Sequence, residues 1–470
     1  MNVRRSANGR PLRIAVVGDT LLDRDLEGEV RRLAPDAPVP IVDHDHTTVR
    51  PGGAGLAAAL AAGDGAEVRL VTALADDDAG RELADTLAER RVAVTDVGLA
   101  GETPEKIRVR VQGRALLRVD RGCEPGRVGA GTAEARAAIG WADAVLVADY
   151  GRGVAAEEAL RSAIGGAIAA GVPVVWDPHP RGARPVPGAL LVTPNDREAR
   201  GFAAEVDGDG PSGVIARGEA LRERWEATWV CVTRGRHGAI AVGATGPPLV
   251  VPVDPVQVGD PCGAGDRFAS RAAEVLAAGG DVPGALRSAA ASASAFVAAG
   301  GAGGADGDAG LPRPLRCTTG AAQDVVARVR ARGGTVVATG GCFDLLHAGH
   351  VGTLQAARAL GDCLVVCLNS DASVHRLKGP RRPLVGERDR AAVLSALGCV
   401  DAVEIFEEDT PAEVLRRLRP DLWVKGGDYS ACELPEAGVL AGWGGRAIVL
   451  PFLDGRSTTR LIQEAALHAV

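Results

Sequence analysis

Two histidines three residues apart, His347 and His350, lie in the segment Thr339-Gly340-Gly341-Cys342-Phe343-Asp344-Leu345-Leu346-His347-Ala348-Gly349-His350. Imidazoles at that spacing, next to glycines that free the backbone, suit a triphosphate. Thr335 to Ala338 reads as a short buried strand, Gly340 and Gly341 allow a tight turn, and Val351 to Leu360 has helical spacing. Both rings are therefore expected near a helix N-terminus, where phosphate charge is favoured. Two donors placed this way stabilise charge rather than form a covalent intermediate. Local capping at the start of a helix is the plain alternative.

The lysines point to the same chemistry. Of 53 Lys and Arg residues only Lys106, Lys378 and Lys425 are lysine. An exposed charge tolerates either residue, whereas a compact ammonium on a phosphate is not equivalent to a planar guanidinium, so these three mark candidate phosphate sites. Arg376-Leu377-Lys378-Gly379-Pro380-Arg381-Arg382-Pro383 places a lysine and arginines on a glycine-interrupted loop suited to clamping a triphosphate. Lys425-Gly426-Gly427-Asp428 follows an expected strand, Leu422 to Val424, and Ser457-Thr458-Thr459 opens a helix at Arg460. Taken singly, each of these is also what a solvated loop, a glycine turn or a helix cap looks like.

A second glycine turn lies earlier. Gly263-Ala264-Gly265-Asp266 precedes the helical run Arg267 to Ala278, so backbone amides of Gly263 to Asp266 can converge on an anion while Asp266 accepts the proton of an attacking hydroxyl.

These residues need a scaffold, and 470 residues, 46% hydrophobic and 24% charged, provide for two or more globular domains. A net charge of −7 offers no basic stripe for nucleic acid, and 3% aromatic residues leave few platforms for stacked bases. Nine cysteines without a CxxC pair argue for reduced thiols, with Cys363 and Cys367 as core residues of a strand. After the brief apolar strand Ile14 to Val17 no stretch stays apolar long enough to span a bilayer, so a cytoplasmic protein is expected. Strands such as Ala144 to Ala148, Val172 to Trp176 and Trp229 to Thr233 alternate with Ala-rich helical segments, the pattern of a mostly parallel α/β sheet. Gly300 to Pro314 breaks the alternation, and a second one begins near Gly334. The expected division is 1–312, a linker with a lead-in helix over 313–333, and 334–470.

Four matches carry a resemblance to the ribokinase-like (PfkB) sugar kinases: Pro51-Gly52-Gly53-Ala54-Gly55, Thr193-Pro194-Asn195-Asp196-Arg197-Glu198, Thr233-Arg234-Gly235 and Gly263 to Asp266. The resemblance implies an α/β sandwich with a small β lid. It makes Asp266 the base and Gly263, Ala264 and Gly265 the anion hole. It gives ATP to Asn195, Asp196, Arg197, Glu198, Thr233 and Gly235, with Asn195 and Glu198 acting on Mg²⁺ through water. Leu56, His179 and Pro261-Cys262 depart from that family, which often has Asn, Lys and Thr-Thr there. Gly18 to Arg24, Ala37 to Pro40, Lys106 to Val109, Leu116 to Asp120 and Ala148 to Gly153 look most like the heptose 7-phosphate kinases. On that likeness Asp19, Asp23, Gly52 and Gly53 would meet the sugar, and Lys106, Arg108 or Arg110 its distal phosphate. The lid would include Val39 to Val42 and Ile107 to Val111, and the family's use of a lid implies a homodimer through it.

The histidine segment resembles the HxGH signature of cytidylyltransferase-like nucleotidyltransferases. The ordered set of that segment, Arg376 to Gly379, Phe406 to Pro411, Val424 to Tyr429 and Asp454 to Thr459 is similar to the adenylyltransferase half of bifunctional heptose enzymes. A smaller Rossmann-like α/β domain is implied. So is ATP plus heptose 1-phosphate giving ADP-heptose and pyrophosphate, for a cell-surface glycan such as a lipopolysaccharide core or another glycosylated product. His347, His350 and Lys378 would stabilise charge, Mg²⁺ would neutralise the pyrophosphate, and Asp344 would orient the histidine region or the sugar phosphate. Gly341, Phe343, Arg382, Lys425, Gly426, Asp428, Ser457, Thr458 and Thr459 would hold ATP. A kinase product carrying two phosphates is not the substrate of a transferase that takes one, so a separate phosphatase is expected between the steps. The competing readings are CTP with another sugar or polyol phosphate, and a kinase fold reduced to sugar binding.

Overall fold

The computed structural model describes residues 10–35, 37, 39–111, 114–122, 124, 126–253, 261–302, 322–427 and 434–451. The expected loop residue Asp428, the Ser457–Thr459 cap and most of the 300–314 break lie outside them. The chain divides into two compact units. One contains Met1–Ala204, Glu219–Gly238 and Val253–Ala309, the other Glu205–Gly218, Ala239–Pro252 and Gly310–Val470.

In the first unit continuous apolar runs become central strands, because a parallel strand covered by helices on both faces buries every side chain. Ala144–Ala148 is buried throughout, as is all but the first residue of Arg13–Gly18. Neighbours run Trp229–Thr233, Leu191–Val192, Val174–Asp177, Ala144–Ala148, Arg13–Gly18, Glu67–Thr72 and Val92–Asp96, every pair parallel. A separate four-stranded sheet orders Pro40–Gly53, Thr20–Leu33, Glu105–Val111 and Arg114–Arg121. Its strands carry alternating or charged sequence, which suits a lid with one wet face. Gly53 turns the lid strand into the helix Ala54–Gly63: its φ is +62°, and a Cβ there would lie 2.5 Å from the carbonyl oxygen of Asp19.

The second unit holds five parallel strands in the order Ala402–Phe406, Cys363–Asn369, Val336–Gly341, Leu422–Gly427, Arg446–Pro451. Counted along the chain, that is 3-2-1-4-5. The winding reverses between Val336–Gly341 and Leu422–Gly427, and in open α/β sheets the crevice beyond such strand ends takes the ligand. Cys363 and Cys367 are buried on their strand, and burial raises both thiols, Cys363 to about 11, so they stay protonated packing groups.

The helices after the glycine turns begin earlier than periodicity predicts. Ala348–Arg358 includes Ala348, Gly349 and His350, with His347 as N-cap, and Ala264–Ala277 starts within the glycine turn. Ala and Gly carry no hydropathy signal, so the first turn of each helix is invisible to a periodic reading. The strands ending at Gly341 and Gly427 are likewise longer than their apolar runs, because ladder pairing continues through glycine.

Candidate active sites

In the first unit Asp266 occupies the first turn of Ala264–Ala277 behind the N-cap Gly263, whose φ is +80°. A Cβ on Gly263 would sit 2.8 Å from Leu56 Cδ2, so Leu56 packs against the turn rather than opening it. A Cβ on Gly265 would meet nothing within 4 Å, so the turn is open on that side. Asp266 is buried, and its Oδ1 accepts a hydrogen bond from the Tyr150 hydroxyl at 2.8 Å. Burial pushes its carboxyl up to about 7, while the Tyr150 hydrogen bond and the Lys106 charge pull the other way. Lys106 Nζ stands 5.9 Å from the Tyr150 ring centroid, and His179 stacks on that ring at 6.4 Å.

More carboxylates back this turn. Burial raises Asp149 to about 6, although Gly151 and Ala183 donate backbone N–H groups to it. Burial, then the charges of Asp266 and Glu198, holds Asp177 well above the usual carboxylate range while Thr193 donates to it at 2.8 Å. Asp19 accepts from the backbone N–H groups of Tyr150, Arg152 and Val154 at 2.9–3.0 Å. It therefore clamps the loop that presents Tyr150. Asp23 accepts from Arg108 at 2.7 Å, and a Cβ on Gly52 would lie 2.7 Å from Asp23 Oδ2. Arg108 is thus held by Asp23, with Asp25 at 3.7 Å, on the lid sheet.

Asn195 caps Asp196–Phe202 in a reciprocal capping box: its side chain accepts from Glu198 N, and Glu198 accepts from Asn195 N, both at 2.9 Å. Burial raises the Glu198 carboxyl. Thr233 pairs with Asn195 across an isolated parallel bridge, and Gly235 at φ +53° turns the chain after it. Asp196 pairs with Arg200 at 3.3 Å. Asn195, Glu198, Thr233 and Gly235 are therefore brought together, as are Asp266, Tyr150 and Lys106.

In the second unit the rings of His347 and His350 stack with centroids 3.9 Å apart, and Phe343 meets His350 edge-on at 5.3 Å. Phe343 has φ +43°, a left-handed conformation unusual for an aromatic residue. Burial, with the charges of His347 and Lys378, pushes His350 down to about 4, so the ring is neutral near pH 7. Lys378 is exposed and ends Asp371–Lys378.

Asp344 is buried, accepting from Arg382 Nη1 and Leu384 N, each at 2.6 Å, and from Val385 N at 3.1 Å. Arg382, expected on ATP, is thereby pinned to the histidine segment, and Arg376 pairs with Asp409 at 2.7 Å. Arg390 was not singled out in the sequence. It is 1% exposed and donates to the carbonyls of Cys342 and Val385 and to Asp371. Its signal was spacing: it lies four residues before the buried Leu394 on the same helix face. Tyr150, Asp149 and Asp177 were visible only as parts of motifs, without roles.

Two family descriptions match the chain: pfkB family carbohydrate kinase over residues 12–306 and Cytidylyltransferase-like over 338–440. The chain is 54% identical to "Bifunctional protein HldE" of Streptomyces coelicolor over 457 residues, 96% of each protein. The chain belongs to the HldE family. Another HldE protein, from Azorhizobium caulinodans, is 39% identical over 96% of this chain and 98% of its own length. The ribokinase-like fold expected of the HldE kinase half is present: phosphofructokinase-2 from Escherichia coli, solved in complex with potassium, aligns at TM-score 0.50 and 18% identity over 63% of this chain and 95% of its own. Membership makes the chain a sugar kinase joined to a nucleotidyltransferase, both ATP-using. No helix among the described residues is long and apolar enough to cross a membrane.

Proposed function

We propose that the chain phosphorylates D-glycero-D-manno-heptose 7-phosphate at O1 with ATP, and that its second unit joins heptose 1-phosphate to the adenylyl group of ATP. One observation carries the reading: the match to bifunctional HldE proteins runs end to end, at 96% of both chains.

In the kinase step the O1 hydroxyl attacks the γ-phosphorus, the bond to the bridging oxygen breaks, ADP leaves, and the hydroxyl proton passes to Asp266. Its carboxyl, raised to about 7, is basic enough to take that proton and ionised often enough at neutral pH. The Gly263–Asp266 amides face the transferring phosphate, while Lys106, beside Tyr150, meets the distal phosphate of the sugar. In the second step a phosphate oxygen of heptose 1-phosphate attacks the α-phosphorus and pyrophosphate departs. His347, His350 and Lys378 stabilise the developing charge as donors.

Among the described residues no three His, Cys, Asp or Glu side chains converge on a metal. That suits Mg²⁺, which keeps waters and substrate phosphates as ligands. Burial, then the charges of Asp266 and Glu198, disfavour the ionised form of Asp177, and a cation bound beside these carboxyls would relieve that repulsion. Asn195 and Glu198 would hold it through water, and when bound it neutralises phosphate charge. The reading also takes kinase and transferase boundaries at 1–312 and 334–470, a cytoplasmic location, a lid-mediated homodimer, and a separate phosphatase that removes the 7-phosphate between the steps.

The test is a mass-resolved product assay with heptose 7-phosphate and ATP, beside Asp266→Ala and a second reaction of heptose 1-phosphate with ATP or CTP. Bisphosphate that disappears in Asp266→Ala, together with ADP-heptose from the second reaction, is the expected result. No bisphosphate overturns the kinase half, and a preference for CTP overturns the adenylyl half.

A further inference from the structure

A cavity of the second unit lies beside the histidine segment. It has a volume of about 360 Å³, and Gly340, Gly341, Trp423, Lys425 and Glu436 are among its lining residues. Gly340 and Gly341 lead directly into the histidine segment, so the cavity adjoins the triphosphate end of the site. Glu436 is 6% exposed. Its Oε1 accepts from Lys425 Nζ at 2.9 Å, while Oε2 is buried with no hydrogen-bond partner among the described residues. Trp423 is 1% exposed, and its indole nitrogen is buried without a partner in the same sense. The indole can come this close only because residue 340 is glycine: a Cβ there would lie 2.5 Å from Trp423 Cη2.

A buried polar atom without a partner is costly, and both residues line this cavity, so a ligand entering it could complete both. The carboxylate only accepts and the indole only donates. We propose that Glu436 and Trp423 read the amino edge of the nucleotide base: Glu436 accepts from the exocyclic amine of adenine, and the Trp423 N–H donates to the neighbouring ring nitrogen. Lys425 holds the carboxylate in place through its 2.9 Å hydrogen bond. Hypoxanthine and guanine reverse both positions, setting a carbonyl oxygen against the carboxylate and a ring N–H against the indole. Cytosine presents the same order as adenine, so this pair excludes keto bases rather than CTP. The proposal rests on the adenylyltransferase reading and names the group that selects its nucleotide.

The experiment measures kcat/KM for heptose 1-phosphate-dependent pyrophosphate release by the full chain with ATP and with ITP. Wild type is expected to prefer ATP by about a hundredfold or more, as sites built on buried hydrogen bonds do. Glu436→Gln, whose amide can turn a donor toward a carbonyl, lowers that ratio at least tenfold. Trp423→Phe keeps the ring, removes the N–H and raises KM for ATP more than it lowers kcat. ITP used within tenfold of ATP, or the full ratio persisting in Glu436→Gln, overturns the proposal while leaving adenylyl transfer intact. If no nucleotide yields pyrophosphate, adenylyl transfer itself fails, and calorimetry then judges the cavity. Two ATP sites per chain with one lost in Glu436→Leu supports the pair; an unchanged titration overturns it.

Discussion

The Tyr150 hydroxyl donates to Oδ1 of Asp266 at 2.8 Å, joining a loop after one central strand to the first turn of a helix 116 residues later. That bond stabilises the ionised carboxylate and so opposes the upward push of burial. Kinase kcat/KM is expected to rise with pH through about 7, because the base acts deprotonated. Tyr150→Phe removes a stabilising donor, so the midpoint moves to higher pH, by about one unit for a charged hydrogen bond. A pH–rate profile of the variant checks this, and an unmoved or acid-shifted midpoint refutes it.

His350 is neutral at physiological pH because burial, His347 and Lys378 all disfavour its charge. Its ring resonances in the free protein should titrate near pH 4, with no transition between 6 and 8. In the unfolded chain the ring binds a proton near the ordinary value of about 6.5. The unfolded state therefore carries more protons between those values, and this group lowers stability as pH falls through that window. Histidine-resolved NMR and pH-dependent unfolding of His350→Gln against wild type report the two effects.

Asp344 satisfies Arg382 and two backbone amides of the loop 382–385. Asp344→Ala leaves these donors without their acceptor, costing about 1–3 kcal/mol and releasing the loop from the histidine segment. Adenylyl transfer should fall at least tenfold while heptose phosphorylation by the same chain is unchanged. Assaying both activities on one preparation separates a local effect from general unfolding.

Arg390 ties together Cys342, Val385 and Asp371 with three different nitrogens. Lysine cannot reproduce that fork. Arg390→Lys is expected to lower transferase kcat more than it raises KM, since the histidine segment loses its support. Partial rescue by added guanidinium would mark a positioning role, and a pure KM effect would argue against one.

The sequence by itself determined the chemistry-bearing turns. Glycine next to aspartate before a helix, paired histidines and rare lysines are local patterns, and the α/β alternation followed from apolar runs too short for helices. Tertiary structure alone decided which charges remain for substrate. Asp19 reads as a sugar-facing carboxylate, yet it is occupied by amides of residues 150–154, and Asp344, expected beside the histidines, takes the Arg382 guanidinium and the amides of Leu384 and Val385. Asn195 and Glu198 face each other in a cap before they face any nucleotide. Arg390 resembles one more charge in Glu387–Ser395 until its burial is seen. The reason is physical: turn propensity and periodicity act over a few residues, whereas a carboxylate's partner and ionisation depend on groups that only the folded chain brings within hydrogen-bonding distance.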